Sequence, residues 1–276
     1  MEYSDNIYTH VFHIVYFDYD SSAYIHFYNC NFRCLGCIRR LSIWDCHLPS
    51  ETISSLRFSG FLSYRGLETL AKELISVYNM KRVVLGGGEP SIDPAIAMIT
   101  RMLKDLGLEI KMLTNSYSLS RDLVEELRDP HVTVIASVKS IDPKKHKEYT
   151  GFPLEPVLTN IINMYEADIN IAIETILIPG FNDVEEIRRL AKFIASLDRD
   201  IPLIIDSFIP VPGALWRKPT IDELDRVEQE ASKYLENVYV RGRTISSGLR
   251  GEVYLIYPRP LDRNSTQNLY TGCTYG

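Results

Sequence analysis

The chain has 276 residues, 45% of them hydrophobic, and a formal net charge of −6. A chain of this length can bury a substantial core, and a single domain over 1–276 is the simplest organisation. Because Lys and Arg are not in excess over Asp and Glu, the composition argues against general binding of nucleic acids or membrane surfaces.

Cysteine usage and the N-terminal segment indicate the compartment. Five cysteines, an odd number with three of them clustered, do not form the disulfide framework of a small secreted protein. The segment Met1–Asp5 is polar and acidic, without the basic and apolar regions of a signal peptide, and no apolar run reaches the roughly 18 residues of a membrane span. We therefore expect a soluble, cytoplasmic protein.

The first predicted elements are two strands, one over 11–16 and one that ends near Tyr28, where polar and apolar residues alternate. Cys30, Cys34 and Cys37 follow directly. Three thiols with the spacing C-x3-C-x2-C are therefore expected on the loop at the end of the second strand.

Thiolates packed this closely repel one another unless a cation lies among them, and two kinds of metal group suit the loop. A structural zinc ion would be closed by a fourth ligand, for which His26 and His47 are candidates. A cluster of four irons would use the three cysteines and leave its fourth iron open to a substrate. The cysteine spacing alone leaves both alternatives open, together with a disulfide.

Residues 38–65 show no clear periodicity, and an irregular segment of this length more often covers a site than lies idle. From residue 66 onward, helices and strands alternate. Helices are predicted over 66–78, 93–106, 120–128, 155–166, 183–197 and 220–236. Strands are predicted over 82–85, 109–115, 132–139, 169–178, 202–210 and 237–241. Apolar strands between helices predict an α/β fold with a parallel sheet.

The turn Gly86-Gly87-Gly88-Glu89-Pro90 follows the strand 82–85 directly. Three glycines in a row let the backbone approach a ligand and leave its N–H and C=O groups available to bind it. The turn lacks the spacing of a phosphate-binding loop, and the Glu89 carboxylate would repel phosphate, so an ammonium group suits it better. A tight turn that needs glycines only for its geometry is the alternative.

Candidate sites lie at the ends of three successive predicted strands. This arrangement favours a TIM-like barrel, whose active site is built from the loops at the carboxyl ends of the strands. An open doubly wound sheet would confine its ligand to one switch point.

The two loops together resemble the radical S-adenosylmethionine (radical SAM) enzymes, whose C-x3-C-x2-C and G-G-E-P motifs are matched by Cys30, Cys34, Cys37 and 87–90. The resemblance implies a partial (β/α)6 TIM-like barrel, a [4Fe-4S] cluster on the three cysteines and S-adenosyl-L-methionine on its open iron. It also implies that the glycine loop binds the amino group of the methionine moiety. An electron from the reduced cluster would cleave the sulfonium C–S bond, and the resulting 5′-deoxyadenosyl radical would abstract hydrogen from a substrate.

Within this family, the stretch from 110 to 182 is similar to the glycyl-radical-enzyme activating enzymes, such as pyruvate formate-lyase activating enzyme. The likeness spans roughly 22–213 and leaves about 214–276 as a C-terminal extension. It implies an electron donor such as ferredoxin or flavodoxin, and a glycyl radical enzyme as one candidate substrate. A small molecule or a peptide is the other candidate.

Individual positions follow from the same resemblance. Thr114 and Asn115 would lie near the methionine end of the cofactor, and Lys139 would contact its carboxylate. Ser137 belongs to this set, although activating enzymes carry Asp there. Glu174 lies mid-strand among apolar residues and would need a ribose hydroxyl or an internal Arg as partner if it points inward.

We expect the residues that contact adenine to lie at other sequence positions than in most members of the family. An aromatic residue commonly precedes the third cysteine and packs near adenine, but this chain has Gly36 there. We therefore expect Ile38 or Ile178 to contact adenine.

The remaining cysteines, Cys46 and Cys273, are expected to be bystanders. Arg241, Arg243 and Arg250 are expected in a solvated turn, with binding of an anionic substrate as the alternative. Two functions of another class are alternatives to radical chemistry. One is a zinc-stabilised binding protein, and the other is an electron-transfer protein that leaves S-adenosylmethionine intact.

Overall fold

Nine strands form one sheet in the computed structural model, which describes residues 7–243 and 251–258. The strands are β1 Val11–Phe17, β2 Ser22–Phe27, β3 Arg82–Gly87, β4 Glu109–Thr114, β5 Val132–Ser137, β6 Ile171–Leu177, β7 Leu203–Ser207, β8 Val238–Arg241 and β9 Val253–Tyr257. Their order is β8-β7-β6-β5-β4-β3-β2-β1-β9. Neighbours from β2 to β8 are parallel, whereas β1 pairs antiparallel with β2 and β9.

Helices fill every connection between the parallel strands. They are α1 Ser50–Ser55, α2 Tyr64–Tyr78, α3 Ile96–Asp105, α4 Arg121–Leu127, α5 Pro143–Thr150, α6 Glu155–Glu166, α7 Val184–Leu197 and α8 Ile221–Ala231. Six βα units in an open sheet, followed by the parallel strand β8, confirm the predicted α/β fold with a partial (β/α)6 barrel. None of the helices in the described residues is both long and apolar enough to cross a membrane.

Short polar side chains set the starts of the helices. The side chains that accept a first-turn backbone N–H are those of Ser63, Ser120, Asp142, Asp183 and Thr220. At α7 and α8 the third helical residue is a Glu that bonds back to the cap, which satisfies a further backbone donor. These caps explain why the helix starts predicted at 120, 183 and 220 lie within one residue of the observed ones.

One apolar core lies between the sheet and the helices. Strand residues such as Leu85 and Met112 are fully buried and belong to the same cluster as Ile99 and Leu103 of α3. Because both faces of the central strands are covered, the strands carry nearly continuous apolar runs. The polar groups that interrupt these runs are therefore concentrated near the strand ends.

Three elements were not predicted from the sequence, namely α1, α5 and β9. The residues of α5, Pro-Lys-Lys-His-Lys-Glu-Tyr-Thr, lack an apolar stripe, but Asp142 accepts hydrogen bonds from the Lys144 and Lys145 N–H groups and starts the helix. Strand β9 pairs with β1, which lies near the other end of the chain, and pairing between segments so distant in sequence leaves no local sequence pattern. Part of the predicted C-terminal extension therefore completes the same sheet, while Arg250 and Cys273 lie outside the described residues.

Two predicted helices are shorter than expected. The helix predicted over 93–106 begins at Ile96, because Pro90–Ile92 form a separate 3-10 turn that is followed by extended backbone at Asp93. The helix predicted over 220–236 ends at Ala231.

Candidate active site

A cavity of about 610 Å³ opens at the carboxyl ends of the parallel strands. Twelve of the predicted site residues line it, namely Cys30, Cys34, Cys37, Ile38, Gly87, Gly88, Glu89, Thr114, Asn115, Ser137, Lys139 and Glu174. They come from the loop after β2 and from the four successive strands β3 to β6 or the residues just after them, which the parallel sheet brings to one edge.

The end of α5 supports the cysteine loop. The Arg33 N–H donates to the Thr150 carbonyl oxygen and the Leu35 N–H to the Tyr149 carbonyl oxygen, both at 2.9 Å. Between the first two cysteines, the Phe32 ring stacks on Phe152 with ring centroids 5.5 Å apart. An unpredicted helix thus holds the backbone on which the three thiols are mounted.

Burial disfavours the thiolate form of the cysteines when no cation is bound. It raises the pKa of Cys30 to about 11 and the pKa of Cys34 to about 12, although the Lys139 ammonium opposes the second shift. Cationic iron would stabilise these thiolates directly, so the loop suits a metal group better than free thiols.

The spacing of the three sulfur atoms bears on whether one zinc ion could bind them all. Ligands at about 2.3 Å from one zinc ion lie at most about 4.6 Å apart. Within the described residues, the only group of three or more possible ligand atoms that all lie within 4.8 Å of one another is formed by other residues, so the three Sγ atoms of the loop are more widely spread. The three thiols as placed here therefore do not converge on one zinc ion.

The glycine loop is bonded to the start of the cysteine loop. The Gly88 N–H donates to the Phe27 carbonyl oxygen at 2.8 Å, and the Glu89 N–H donates to the Asn29 carbonyl oxygen at 2.7 Å, one residue before Cys30. A Cβ atom on Gly88 would lie 2.2 Å from the Asn29 oxygen, so only glycine permits this approach. At Gly87 the backbone has a φ of 92°, which also favours glycine.

The Glu89 carboxylate accepts three hydrogen bonds from the protein. Its donors are the Ser91 N–H at 3.0 Å, the Thr114 hydroxyl at 2.5 Å and the Asn115 N–H at 2.6 Å. Burial raises the Glu89 pKa, and these hydrogen bonds oppose that shift. The Asn115 side chain in turn donates to the Asn31 side chain at 2.6 Å. Glu89 thus links the ends of β3 and β4, and Asn115 extends the link to the cysteine loop.

A charged cluster forms the wall of the cavity beyond β5. The Ser137 hydroxyl donates to Glu174 at 2.6 Å, and the Lys139 ammonium lies 3.6 Å from the same carboxylate. Glu174 therefore points inward. Its nearest partners are Ser137 and Lys139, and Arg241 adds an attraction over a longer distance. Burial would raise the Glu174 pKa, but Lys139 and the Ser137 hydroxyl hold it below its ordinary value.

Sequence reasoning missed the neighbouring acid and its partner. Asp206, at the end of β7, lines the cavity and pairs with Arg241 at 2.5 Å. Arg241 is solvated as expected, with a side chain that is 57% exposed, but it ends β8 rather than lying in a turn. Burial, together with the nearby charge of Glu174, raises the pKa of Asp206 to about 6. Arg243, in the bend after β8, pairs with the partly exposed Asp225 and Glu228.

Two predicted site residues do not line the cavity. Gly86 faces Tyr24, whose hydroxyl oxygen would lie 2.3 Å from a Cβ atom at that position. Ile178 is fully buried in a cluster with Tyr149, Phe181 and Phe208, so it does not reach the cavity to contact adenine. A strand residue two positions earlier, Ile176, lines the cavity instead, together with Ile38.

Aromatic side chains fill the position that Gly36 leaves open. A Cβ atom on Gly36 would lie 2.5 Å from the Phe208 ring and 2.6 Å from the Tyr149 hydroxyl oxygen, and both side chains line the cavity. Phe208 directly follows β7. Its position near the end of the predicted strand 202–210 was therefore the sequence signal that could have indicated a site residue.

The comparison with known families identifies the chain. The model of the radical SAM superfamily matches residues 24–194. The chain belongs to the radical SAM superfamily. This radical SAM protein is an enzyme, and its cofactors are a [4Fe-4S] cluster and S-adenosylmethionine.

Relatives of this radical SAM enzyme differ in what they act on. A putative glycyl-radical enzyme activating enzyme of Methanocaldococcus jannaschii is 27% identical over 219 residues, covering 76% of this chain and 77% of the relative. A GTP 3',8-cyclase of Rhizobium etli is 29% identical over 181 residues, covering 63% and 48%. The crystal structure of Streptococcus suis SuiB bound to S-adenosylmethionine has a TM-score of 0.64 and 16% identity, covers 78% of this chain and 48% of that chain, and shows the same fold.

Proposed function

We propose that Cys30, Cys34 and Cys37 ligate the [4Fe-4S] cluster and that the loop from Gly87 to Glu89 binds the methionine end of S-adenosylmethionine beside it. The observation that carries this proposal is the hydrogen bond from the Glu89 N–H to the Asn29 carbonyl oxygen. It joins the glycine loop to the cysteine loop, so that three thiols and the residues from Gly87 to Glu89 line one cavity.

Held by the three cysteines and the glycine loop, the cluster and S-adenosylmethionine would supply one-electron reductive cleavage of the sulfonium C–S bond, and hence the radical chemistry of the enzyme. The chain's own residues bind and orient the cofactor. The Glu89 carboxylate, held by three protein donors, fixes the glycine loop so that its backbone groups meet the cofactor's ammonium group. The Lys139 ammonium, oriented by Glu174, offers a positive charge to the cofactor's carboxylate.

The apolar part of the cavity wall is suited to adenine. Ile38, Ile176 and Phe208 line it, and Phe208 packs against the Gly36 backbone next to the third cysteine. These side chains would exclude water from the reacting atoms.

For the substrate, we propose a glycine residue of a partner glycyl radical enzyme, from which the radical abstracts hydrogen. Support comes from the relative that matches 76% of this chain and bears the name of an activating enzyme. We propose that a ferredoxin or a flavodoxin reduces the cluster in an anaerobic cytoplasm.

A small molecule or a peptide is the second candidate substrate, and specific residues favour it. Asp206, Arg241 and His47 line the cavity in addition to the residues proposed to hold the two cofactors. A charged wall of this kind suits an ionic substrate that enters the cavity whole.

The cofactor assignment is tested by anaerobic reconstitution of the full chain with iron and sulfide. We expect about four irons per chain and reductant-dependent release of 5′-deoxyadenosine. The variant Cys30→Ala/Cys34→Ala/Cys37→Ala should lose both, whereas Cys273→Ala should retain both. Cleavage of S-adenosylmethionine by the triple variant, or an iron-free wild type that binds only zinc, would contradict the assignment.

The substrate is tested separately with a glycyl radical enzyme from the same organism. Incubation with the reconstituted enzyme, reductant and S-adenosylmethionine should produce the glycyl radical signal in electron paramagnetic resonance. Cofactor cleavage without that signal would favour the small-molecule or peptide candidate.

A further inference from the structure

A second group of metal-binding side chains lies beside the same cavity. Within the described residues, Asp45, Cys46 and His47 form the only group of three or more possible metal-ligand atoms that all lie within 4.8 Å of one another. The Cys46 sulfur lies 3.7 Å from His47 Nδ1, and His47 Nδ1 lies 2.8 Å from Asp45 Oδ1. Cys46 and His47 both line the cavity.

Neighbouring side chains hold the Asp45 carboxylate in place. Asp45 is 4% exposed, and its other oxygen, Oδ2, lies 2.9 Å from His26 Nε2. Its backbone N–H donates to His13 Nε2 at 3.2 Å. The imidazole of His26 thus occupies Oδ2, as an outer partner does for a metal-binding carboxylate. The other oxygen, Oδ1, accepts the His47 N–H at 2.8 Å and is directed towards the His47 ring.

A second Asp-x-His turn shows which features are specific to this one. In Asp129-Pro130-His131 the His131 N–H and ring also contact the Asp carboxylate, at 2.9 Å and 3.2 Å. That turn precedes β5 at the opposite end of the barrel, its His side chain is 68% exposed, and it has Pro where the first turn has Cys46. The turn geometry alone therefore does not indicate a metal, whereas the added thiol and the burial at the cavity do.

The donor atoms match a zinc ion. Ligands about 2.0 to 2.3 Å from a tetrahedral Zn²⁺ lie about 3.3 to 3.6 Å from one another. The sulfur–nitrogen distance of 3.7 Å is close to this range. The oxygen–nitrogen distance of 2.8 Å is that of a hydrogen bond and would lengthen by about 0.5 Å when the ion binds. Aspartate oxygen, thiolate and imidazole are all ordinary zinc ligands, and three protein ligands are the usual number at zinc sites that bind a substrate.

We propose that Asp45 Oδ1, Cys46 Sγ and His47 Nδ1 bind one Zn²⁺ ion whose fourth position faces the cavity. Because zinc is not redox-active, the ion would bind and orient the substrate and would take no electron from the cluster. Its ligand would be an anionic oxygen or sulfur atom of the substrate. The zinc site does not depend on which residues hold the cluster, so the two proposals fail separately.

The test uses the full chain, reconstituted with iron and sulfide, then equilibrated with Zn²⁺ alone and freed of unbound metal. Elemental analysis should find about one zinc besides about four irons per chain. In Cys46→Ser/His47→Ala the zinc content should fall at least tenfold while iron is unchanged. The control His131→Ala, at the other Asp-x-His turn, should keep both metals.

X-ray absorption at the zinc edge of the wild-type holoenzyme gives a second measurement that does not depend on the variant's folding. One sulfur at about 2.3 Å and nitrogen or oxygen neighbours at about 2.0 Å would support the site. Several sulfur neighbours would place the zinc in the cysteine loop and overturn the proposal. Zinc content that is equal in wild type and in the folded double variant would overturn it as well.

Discussion

Charged side chains are exposed at one end of the parallel strands and buried at the other. At the amino ends, opposite charges pair across neighbouring chain segments in solvent, as in Arg82 with Glu109 and Arg199 with Glu236, whose side chains are about half exposed. At the carboxyl ends, Glu89 and Glu174 are buried, and each carboxylate is held by several neighbours. The first arrangement adds little stability, whereas the second requires every partner, because a buried charge without a partner is costly.

This difference shows where the chain uses polar residues for binding. A surface ion pair needs no cavity and tolerates substitution. The buried carboxylates instead line a cavity beside thiols and glycines, where they hold loops in fixed positions. The comparison therefore predicts large effects for changes at the carboxyl ends and small effects for matched changes at the amino ends.

The largest effect is expected for Gly88→Ala. The new Cβ atom would lie 2.2 Å from the Asn29 carbonyl oxygen, which is backbone and cannot rotate away. We expect a loss of about 4 kcal/mol in the free energy of unfolding, measured by denaturant titration, together with reduced iron uptake.

The matched glycine for this test is Gly107, in the loop before β4. Its φ is 76°, and a Cβ atom added there would meet no other atom within 4 Å, so Gly107→Ala should cost only about 1 kcal/mol. Equal losses in the two variants would show that the contact between the two loops is not important.

The next effect is expected for Lys139→Met. The change leaves the buried Glu174 without its cation, which should lower the free energy of unfolding by about 3 kcal/mol and weaken S-adenosylmethionine binding. Equilibrium binding and urea unfolding measure the two effects. Unchanged affinity for S-adenosylmethionine would contradict the role proposed for Lys139.

A pH-dependent effect is expected from His146, which is fully buried in α5 below the cysteine loop. Burial lowers its pKa from 6.5 to about 4. Between these two pKa values the imidazole is protonated in the unfolded chain but not in the folded chain. The contribution of His146 to the free energy of unfolding should therefore be constant above about pH 7 and fall by about 3 kcal/mol as the pH is lowered from 6.5 to 4.

Substitution His146→Gln should remove this part of the pH dependence. The difference in unfolding free energy between wild type and variant, followed by urea titration from about pH 4 to about pH 8, isolates the contribution of His146. A difference that does not vary with pH would contradict the burial effect.

The smallest effect is expected for Arg199→Ala. Its partner Glu236 is 58% exposed, so the loss should stay below about 1 kcal/mol and vanish at high salt. Thermal unfolding at low and high ionic strength measures it. A loss as large as that of Lys139→Met would remove the distinction between the two barrel ends.

The periodicity of the sequence was sufficient to predict the α/β fold and most of its helices and strands. Alternating helical and apolar segments predicted six of the parallel strands and the helices that join them, because burial on both faces imposes apolar runs. Helix starts at Ser120, Asp183 and Thr220 were predictable from local capping chemistry. The segments α5 and β9 were not, since the first lacks an apolar stripe and the second depends on a strand that lies far away in the sequence.

For the site, the sequence alone identified the dense motifs, because three spaced cysteines and three adjacent glycines have few purely structural explanations. Only the tertiary structure decided which isolated residues join them. It placed Ile176 rather than Ile178 at the cavity, brought Asp206 and Arg241 to its wall, and set Cys46 beside His47 and Asp45. These contacts depend on how separate strand ends and loops pack against one another. The residue type at one position in the sequence does not determine that packing.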